Sequence, residues 1–151
     1  MIHSLQHSLQ SSIRKSFQCT IITPEASVFD DEVTYARFPA WDGQYGMMSG
    51  LSPMLSSLAP GGLRLDQASG STWFLVEGGF AHVVGDRLTI LAEAVTPAAE
   101  LDVEAAEASF ASLRSSGPSD EMDMDELNRQ RQIARERVHL ARREAGYTTG
   151  V

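Results

Sequence analysis

Residues 129–143 place six arginines, Arg129, Arg131, Arg135, Arg137, Arg142 and Arg143, around a single acid, Glu136. The segment carries +5 in a chain whose formal net charge is -8, which leaves -13 on the remainder. Half of the 12 basic residues therefore stand on one short stretch. Guanidinium groups at that density either line a solvated helix, since Arg is a strong helix former, or meet an acidic surface, where charge complementarity steers the encounter. The acidic total argues against general nucleic-acid binding, which needs a positive field along a surface.

Other chemistry is sparse. The four histidines, His3, His7, His82 and His139, are scattered, and no second ligand stands at metal-site spacing from any of them. The single cysteine, Cys19, excludes an intrachain disulfide and a zinc site of several thiolates. It alternates with Phe17 and Ile21, which predicts a small buried hydrophobe. No Gly-rich Lys-Ser/Thr phosphate loop occurs. Gly78-Gly79 follows a strand but leads into another strand, so a dinucleotide fold is excluded. The run Gly50-Leu-Ser-Pro-Met lacks the glycine spacing of a nucleophile elbow. Carboxylates are abundant without a visible pair. The expectation is a non-catalytic chain with no cofactor and no metal.

The elements that must position the arginines divide near residue 97. Before it, short period-two runs alternate with Gly and Pro: 17–23, 33–38, 63–65, 72–77, 80–84 and 88–92, the last pair joined by the turn Gly85-Asp86. That pattern predicts a β-sandwich over 17–96. After it, Val103, Ala106, Phe110 and Leu113 share one helical face, and residues 117–123 break the helix. A second helix is predicted over about 124–145, with Leu127, Arg131, Ala134, Val138 and Ala141 on one stripe. Two amphipathic helices with a short break form an antiparallel hairpin over 97–146. Residues 1–16, rich in Ser and Gln and free of acids, read as a flexible tail, as do 147–151. No run approaches a membrane span of about 20 apolar residues, so no direct membrane insertion is expected.

The ordered segments TPEASVF (23–29), DGQYGMMSGLSPML (42–55), LAPGGLRL (58–65), VEGGFAHV (76–83) and LTILAE (88–93), with LDVEAAEA and the two-helix tail behind them, resemble the epsilon subunit of bacterial F-type ATP synthases. The resemblance covers about residues 17–145. It implies a ten-stranded β-sandwich followed by a helical hairpin. It also implies a rotor subunit of the central stalk, peripheral on the cytoplasmic face of the inner membrane. Its partners would be the gamma subunit and the c-ring, with the alpha and beta subunits reached through the C-terminal helices, which restrain ATP hydrolysis. On this reading the six arginines form an inhibitory helix facing an acidic segment of beta. Asp42, Gly43, Gln44, Gly46, Gly50 and Leu51 form the rotor-contact loop.

Two departures from the family pattern stand out. Gln44, Ser49 and Leu51 occupy positions where the family reads Glu, Pro and His, while Gly43, Gly46, Gly50 and Pro53 match. The resemblance therefore implies a contact that keeps its shape and changes its polar chemistry, as for an unusual rotor ring or a different coupling ion. Some members bind ATP through Ile/Leu-Asp-x-x-Arg-Ala. Here Asp102 is present but Ala105 takes the place of the Arg, removing a charge-assisted contact to phosphate. A nucleotide-sensing module built on Asp102 is the alternative reading.

Overall fold

The computed structural model describes residues 15–50, 52–119 and 121–146. Ten strands come first: β1 (Phe17–Ile22), β2 (Ser27–Val33), β3 (Tyr35–Ala40), β4 (Gly43–Met47), β5 (Met54–Leu58), β6 (Gly61–Gln67), β7 (Gly70–Val76), β8 (Gly79–Val84), β9 (Arg87–Ala92) and β10 (Val95–Pro97). A 3-10 turn (Ala98–Glu100) leads to helices α1 (Val103–Ser115) and α2 (Met124–Glu144). The sheet runs β10-β7-β6-β3-β5-β8-β9-β1-β2, with β4 added on β3. β3 and β5 meet at one pair, Ala40↔Leu58. That crease folds the sheet into two halves that share a single core, the predicted β-sandwich.

Alternation explains the core. Phe17, Cys19 and Ile21 of β1 point inward with Leu88 and Ile90 of β9, and Ala81 and Val83 of β8. Ala36, Phe38, Leu63, Leu65, Phe74 and Val76 meet them from the other half. Cys19 is fully buried, and burial first, then the Asp30 carboxylate, push its thiol up to about 12. It packs as a hydrophobe.

Several strands departed from the expected pattern. The run 33–38 spans two strands, because Val33 closes β2 and the chain bends at Thr34 before β3. β2, β4, β5 and β10 had no separate signal. β2, β4 and β10 each pair with one neighbour only, and β4 is exposed along all but Met47. Ladder hydrogen bonds hold such strands without an apolar alternation to betray them.

The helices begin at aspartates. Asp102 accepts the Ala105 N–H at 3.0 Å, and Asp123 accepts the Glu126 N–H at 2.9 Å, each satisfying an orphan donor of the first turn. Ala106 of α1 packs against Val138 and Ala141 of α2, with Val103 and Phe110 beside them, and the two helices run antiparallel. Small residues at 106 and 141 permit the close approach. The expected stripe on α2 is incomplete. Ile133 and Leu140 are also buried, because α2 packs on the sheet as well as on α1. Leu140 joins Leu75 and Ala98 in a second apolar cluster, flanked by Trp73 and Leu101. Residues 72–77 lack clean alternation for the same reason: Phe74 and Val76 enter the sandwich core, while Leu75 lies under the helix.

Candidate docking faces

All six arginines of α2 find partners within the chain, and they divide by side. Toward α1, the Arg131 guanidinium donates to the carbonyls of Leu113 at 3.0 Å and Ser116 at 2.6 Å, satisfying the end of that helix. Arg135 stands 5.9 Å over the Phe110 ring, and Arg142 donates to Glu107 at 2.7 and 3.0 Å. Toward the sandwich, Arg129 donates to the Glu77 carbonyl at 2.7 Å and pairs with the Glu93 carboxylate. Arg137 lies 3.5 Å from the Glu77 carboxylate, and Arg143 stacks 4.3 Å over Trp73. The stripe is neither a bare solvated face nor a set of free cations.

The bond between arm and sandwich is modest. Its apolar part is the small cluster around Leu75 and Leu140. Of its ion pairs, Arg129–Glu93 is exposed and Arg137–Glu77 is half-buried at 3.5 Å; pairs near the surface contribute about 0–1 kcal/mol each. Salt weakens the exposed pair further. The arm is held to the sandwich by this small apolar cluster and these polar contacts.

The segment expected to form one rotor-contact loop does not stay together. β4 occupies its middle, and two turns bracket it at opposite ends, about 13–17 Å apart at the rise of a strand. Trp41 and Asp42 make the turn after β3, and Gly43, at φ 133°, opens β4 with Gln44 behind it. At the far end Gly50, at φ 88°, donates its N–H to Asp86 at 3.4 Å. Leu51 lies outside the described residues, as do residues 1–14 and 147–151 of the expected tails. Gly46 has no positive φ. It sits inside β4 because a Cβ there would collide with the Tyr35 hydroxyl.

Asp102 is committed to capping α1, and Ala105 beside it is exposed. Among the described residues no group of His, Cys, Asp and Glu is placed to hold a metal ion.

A second face escaped the sequence reading. Register aligns Ser57↔Phe80, Phe80↔Leu91 and Leu91↔Ile22 across β5, β8, β9 and β1. The Trp41 N–H donates to the Ser57 carbonyl at 3.1 Å, which extends the row across the crease. Trp41, Phe80, Leu91 and Ile22 are 72%, 50%, 45% and 37% exposed, so the row from Trp41 across this half to Ile22, about 19 Å at the usual strand spacing, carries large apolar groups interrupted at Ser57. Leu55 and Val84 extend it. A shallow groove of about 350 Å³ runs along it between Pro24, Phe80 and Leu91, with Glu93 at its rim. A contiguous exposed apolar surface of this kind marks an interaction site. The available signal was apolar residues at both parities in "FAHVV" and "LTILA".

A sandwich with one face under its own helical arm and the other face bare and apolar describes a subunit built to dock. A model of the family described as "ATP synthase, Delta/Epsilon chain, beta-sandwich domain" matches residues 16–98, that is, the strands up to the 3-10 turn. The ATP synthase epsilon chain of Nitratidesulfovibrio vulgaris is 34% identical over 94 residues, covering 62% of this chain and 70% of its own length. That of Priestia megaterium is 38% identical over 93 residues, covering 62% and 69%. The fold is shared with a chain of the Euglena gracilis mitochondrial ATP synthase, in a structure comprising OSCP, F1 and the c-ring. That match has TM-score 0.67 at 21% identity, over 89% of this chain and 82% of that one. It is also shared with a chain of the Tetrahymena thermophila ATP synthase central stalk and c-ring, with TM-score 0.59 at 14% identity, over 82% and 95%. The chain belongs to the delta/epsilon chain family of ATP synthases. Like its epsilon-chain relatives it is a non-catalytic subunit of that complex.

Proposed function

We propose that this subunit couples the rotor of an ATP synthase at the foot of the central stalk, with the strands (17–96) as coupler and the helical hairpin (97–146) as regulatory arm. The bare apolar face docks on the gamma subunit. The turns at Asp42–Gln44 and Gly50 rest on the c-ring, through shape and neutral groups rather than charge. The arm restrains ATP hydrolysis when Arg129, Arg137 and Arg143 leave the sandwich for acidic surfaces of the alpha and beta subunits. The chain works as a peripheral subunit at the cytoplasmic face of the membrane; among the described residues no helix is long and apolar enough to cross one.

The observation that supports this reading most is the row Trp41–Ser57–Phe80–Leu91–Ile22. Its large side chains point outward, where they contribute little to the core, so their burial belongs to a partner. Phe80→Asp with Leu91→Asp tests it. The double variant keeps the sandwich fold, since both side chains face solvent, and loses gamma in co-purification by about 30-fold or more in affinity, as expected for central apolar anchors. A folded double variant that still binds gamma with parental affinity refutes the docking assignment. A nucleotide-sensing module gains nothing from the geometry, because the Asp102 carboxylate is occupied by the helix cap.

A further inference from the structure

A cavity of about 230 Å³ lies where α2 crosses the sheet. Its floor is low because residue 62 is glycine: a Cβ there would come within 3.2 Å of Trp73 and 3.6 Å of Leu140. The polar groups around it come from both sides. Arg37 reaches it from β3 and Gln44 from β4, while His139 and Arg143 descend from α2. Glu136 is the one acid on the wall.

These cations are less committed than their neighbours. Arg37 stands opposite Arg64 in the β3–β6 register. Arg64 is neutralised by Asp66 through bonds of 2.9 and 3.0 Å, whereas Arg37 makes no ion pair or hydrogen bond among the described residues. Arg143 is held by its π contact with Trp73, which employs the face of the guanidinium and leaves its in-plane N–H donors available. Gln44 contributes a neutral amide where a carboxylate would cancel one arginine. Guanidinium donors and an amide converging on a small hollow with one acid are the donor set of an oxyanion site.

We propose that this cavity binds a small divalent oxyanion of phosphate size and charge, gripped by the sandwich through Arg37 and Gln44 and by the arm through His139 and Arg143. The volume falls below the roughly 300–1,000 Å³ of pockets for drug-sized ligands, so the site takes inorganic phosphate rather than a nucleotide. It exists only while α2 lies on the sheet. The anion therefore favours the docked arm by mass action. This site is separate from Asp102, and it stands whether or not the bare face docks on gamma.

Fluorescence of Trp73 tests the proposal. The chain has two tryptophans, so Trp41→Phe leaves Trp73 as the only reporter. The full chain carrying that change is titrated with inorganic phosphate, and separately with chloride at matched ionic strength. Phosphate gives a saturable change in emission and chloride does not. Arg37→Gln weakens the apparent affinity about tenfold or more, the loss of one charge-assisted hydrogen bond. Gln44→Glu weakens it in the same direction by adding a repulsive charge. A phosphate response that fails to saturate or is matched by chloride overturns the proposal, as does an Arg37→Gln variant that titrates like its parent. ATP saturating the signal at the same or lower concentration than phosphate overturns the size assignment.

Discussion

The two outer faces of the sandwich carry similar side chains and meet different fates. On the β6–β7 half, Trp73 and Leu75 point outward and are covered by Leu140 of the chain's own arm. On the β8–β9–β1 half, Phe80, Leu91 and Ile22 point outward and are left exposed by the described residues. The covered face has one apolar anchor from the arm, Leu140, and a fringe of ion pairs, one exposed and one half-buried. The bare face has a band of large apolar groups with few charges. A small apolar contact assisted by screened charge suits an arm that detaches. A wide apolar band suits a partner that stays. Under the proposed function, the same sheet would separate a reversible contact from a durable one by how much apolar area each face presents.

The comparison breaks most readily at its two anchors. Leu140→Ala should undock the arm, because large-to-small changes at buried leucines cost about 2–5 kcal/mol, more than any one exposed ion pair supplies. Hydrogen exchange should quicken in α2 and leave β1, β8 and β9 protected. Phe80→Ala, its counterpart on the bare face, should change stability by no more than about 0.5 kcal/mol. Equal destabilisation by the two would mean that both faces serve the fold alone.

A smaller effect is expected from the charges. Glu77→Gln with Glu93→Gln removes the carboxylate partners of Arg129 and Arg137 on the sandwich, so the arm should leave more readily. In assembled ATP synthase, hydrolysis should fall about two- to fivefold, for a bias of up to about 1 kcal/mol. Raising the salt from low to physiological strength should shrink the difference between variant and parent. Hydrolysis that rises or stays level in the double variant would sever the arm's ion pairs from regulation.

The smallest effect concerns the margin of the covered face. Burial raises the Asp66 carboxyl, but the hydrogen bonds from Arg64 and Ser71 outweigh it and hold the group below the usual carboxylate range. A depressed carboxylate contributes stability above its unfolded pKa and loses it as pH falls through the folded value. Asp66→Asn should therefore lower the melting temperature at neutral pH by a few degrees at most, and the gap from the parent should close below about pH 4. A gap of constant size across that range would assign the effect to packing rather than charge.

Much of the molecule was legible in its residues, and the failures have a common cause. The inward alternation of Phe17, Cys19 and Ile21, the hairpin turn at Gly85-Asp86, and the 3.6-residue face of Val103, Ala106, Phe110 and Leu113 all express local geometry, which a sequence pattern reports directly. β5 and β10 were not separable because their place in the sheet rests on ladder bonds to distant strands, β8 and β7, whereas β2 and β4 pair with the strand just before them and lack a clean apolar alternation to mark them. Gly46 was expected to serve a turn and serves instead the close approach of Tyr35. The turns that bracket β4 looked like one loop, since nothing local distinguishes an exposed polar strand from a connection.

Composition and periodicity by themselves determined a strand-rich half, a helical hairpin and a concentration of arginines on the last helix. They also removed thiolate zinc sites, phosphate loops and a dinucleotide fold from consideration. Tertiary structure alone decided what each arginine touches: Arg142 meets Glu107, 35 residues away, and Arg129 meets Glu77, 52 residues away. It alone aligned Trp41, Phe80, Leu91 and Ile22 in one row, because cross-strand neighbours are set by register and not by spacing along the chain. Parity tells which side of a strand a residue faces. Whether another element covers that side depends on tertiary packing, and among the described residues that packing covers one face and leaves the other bare.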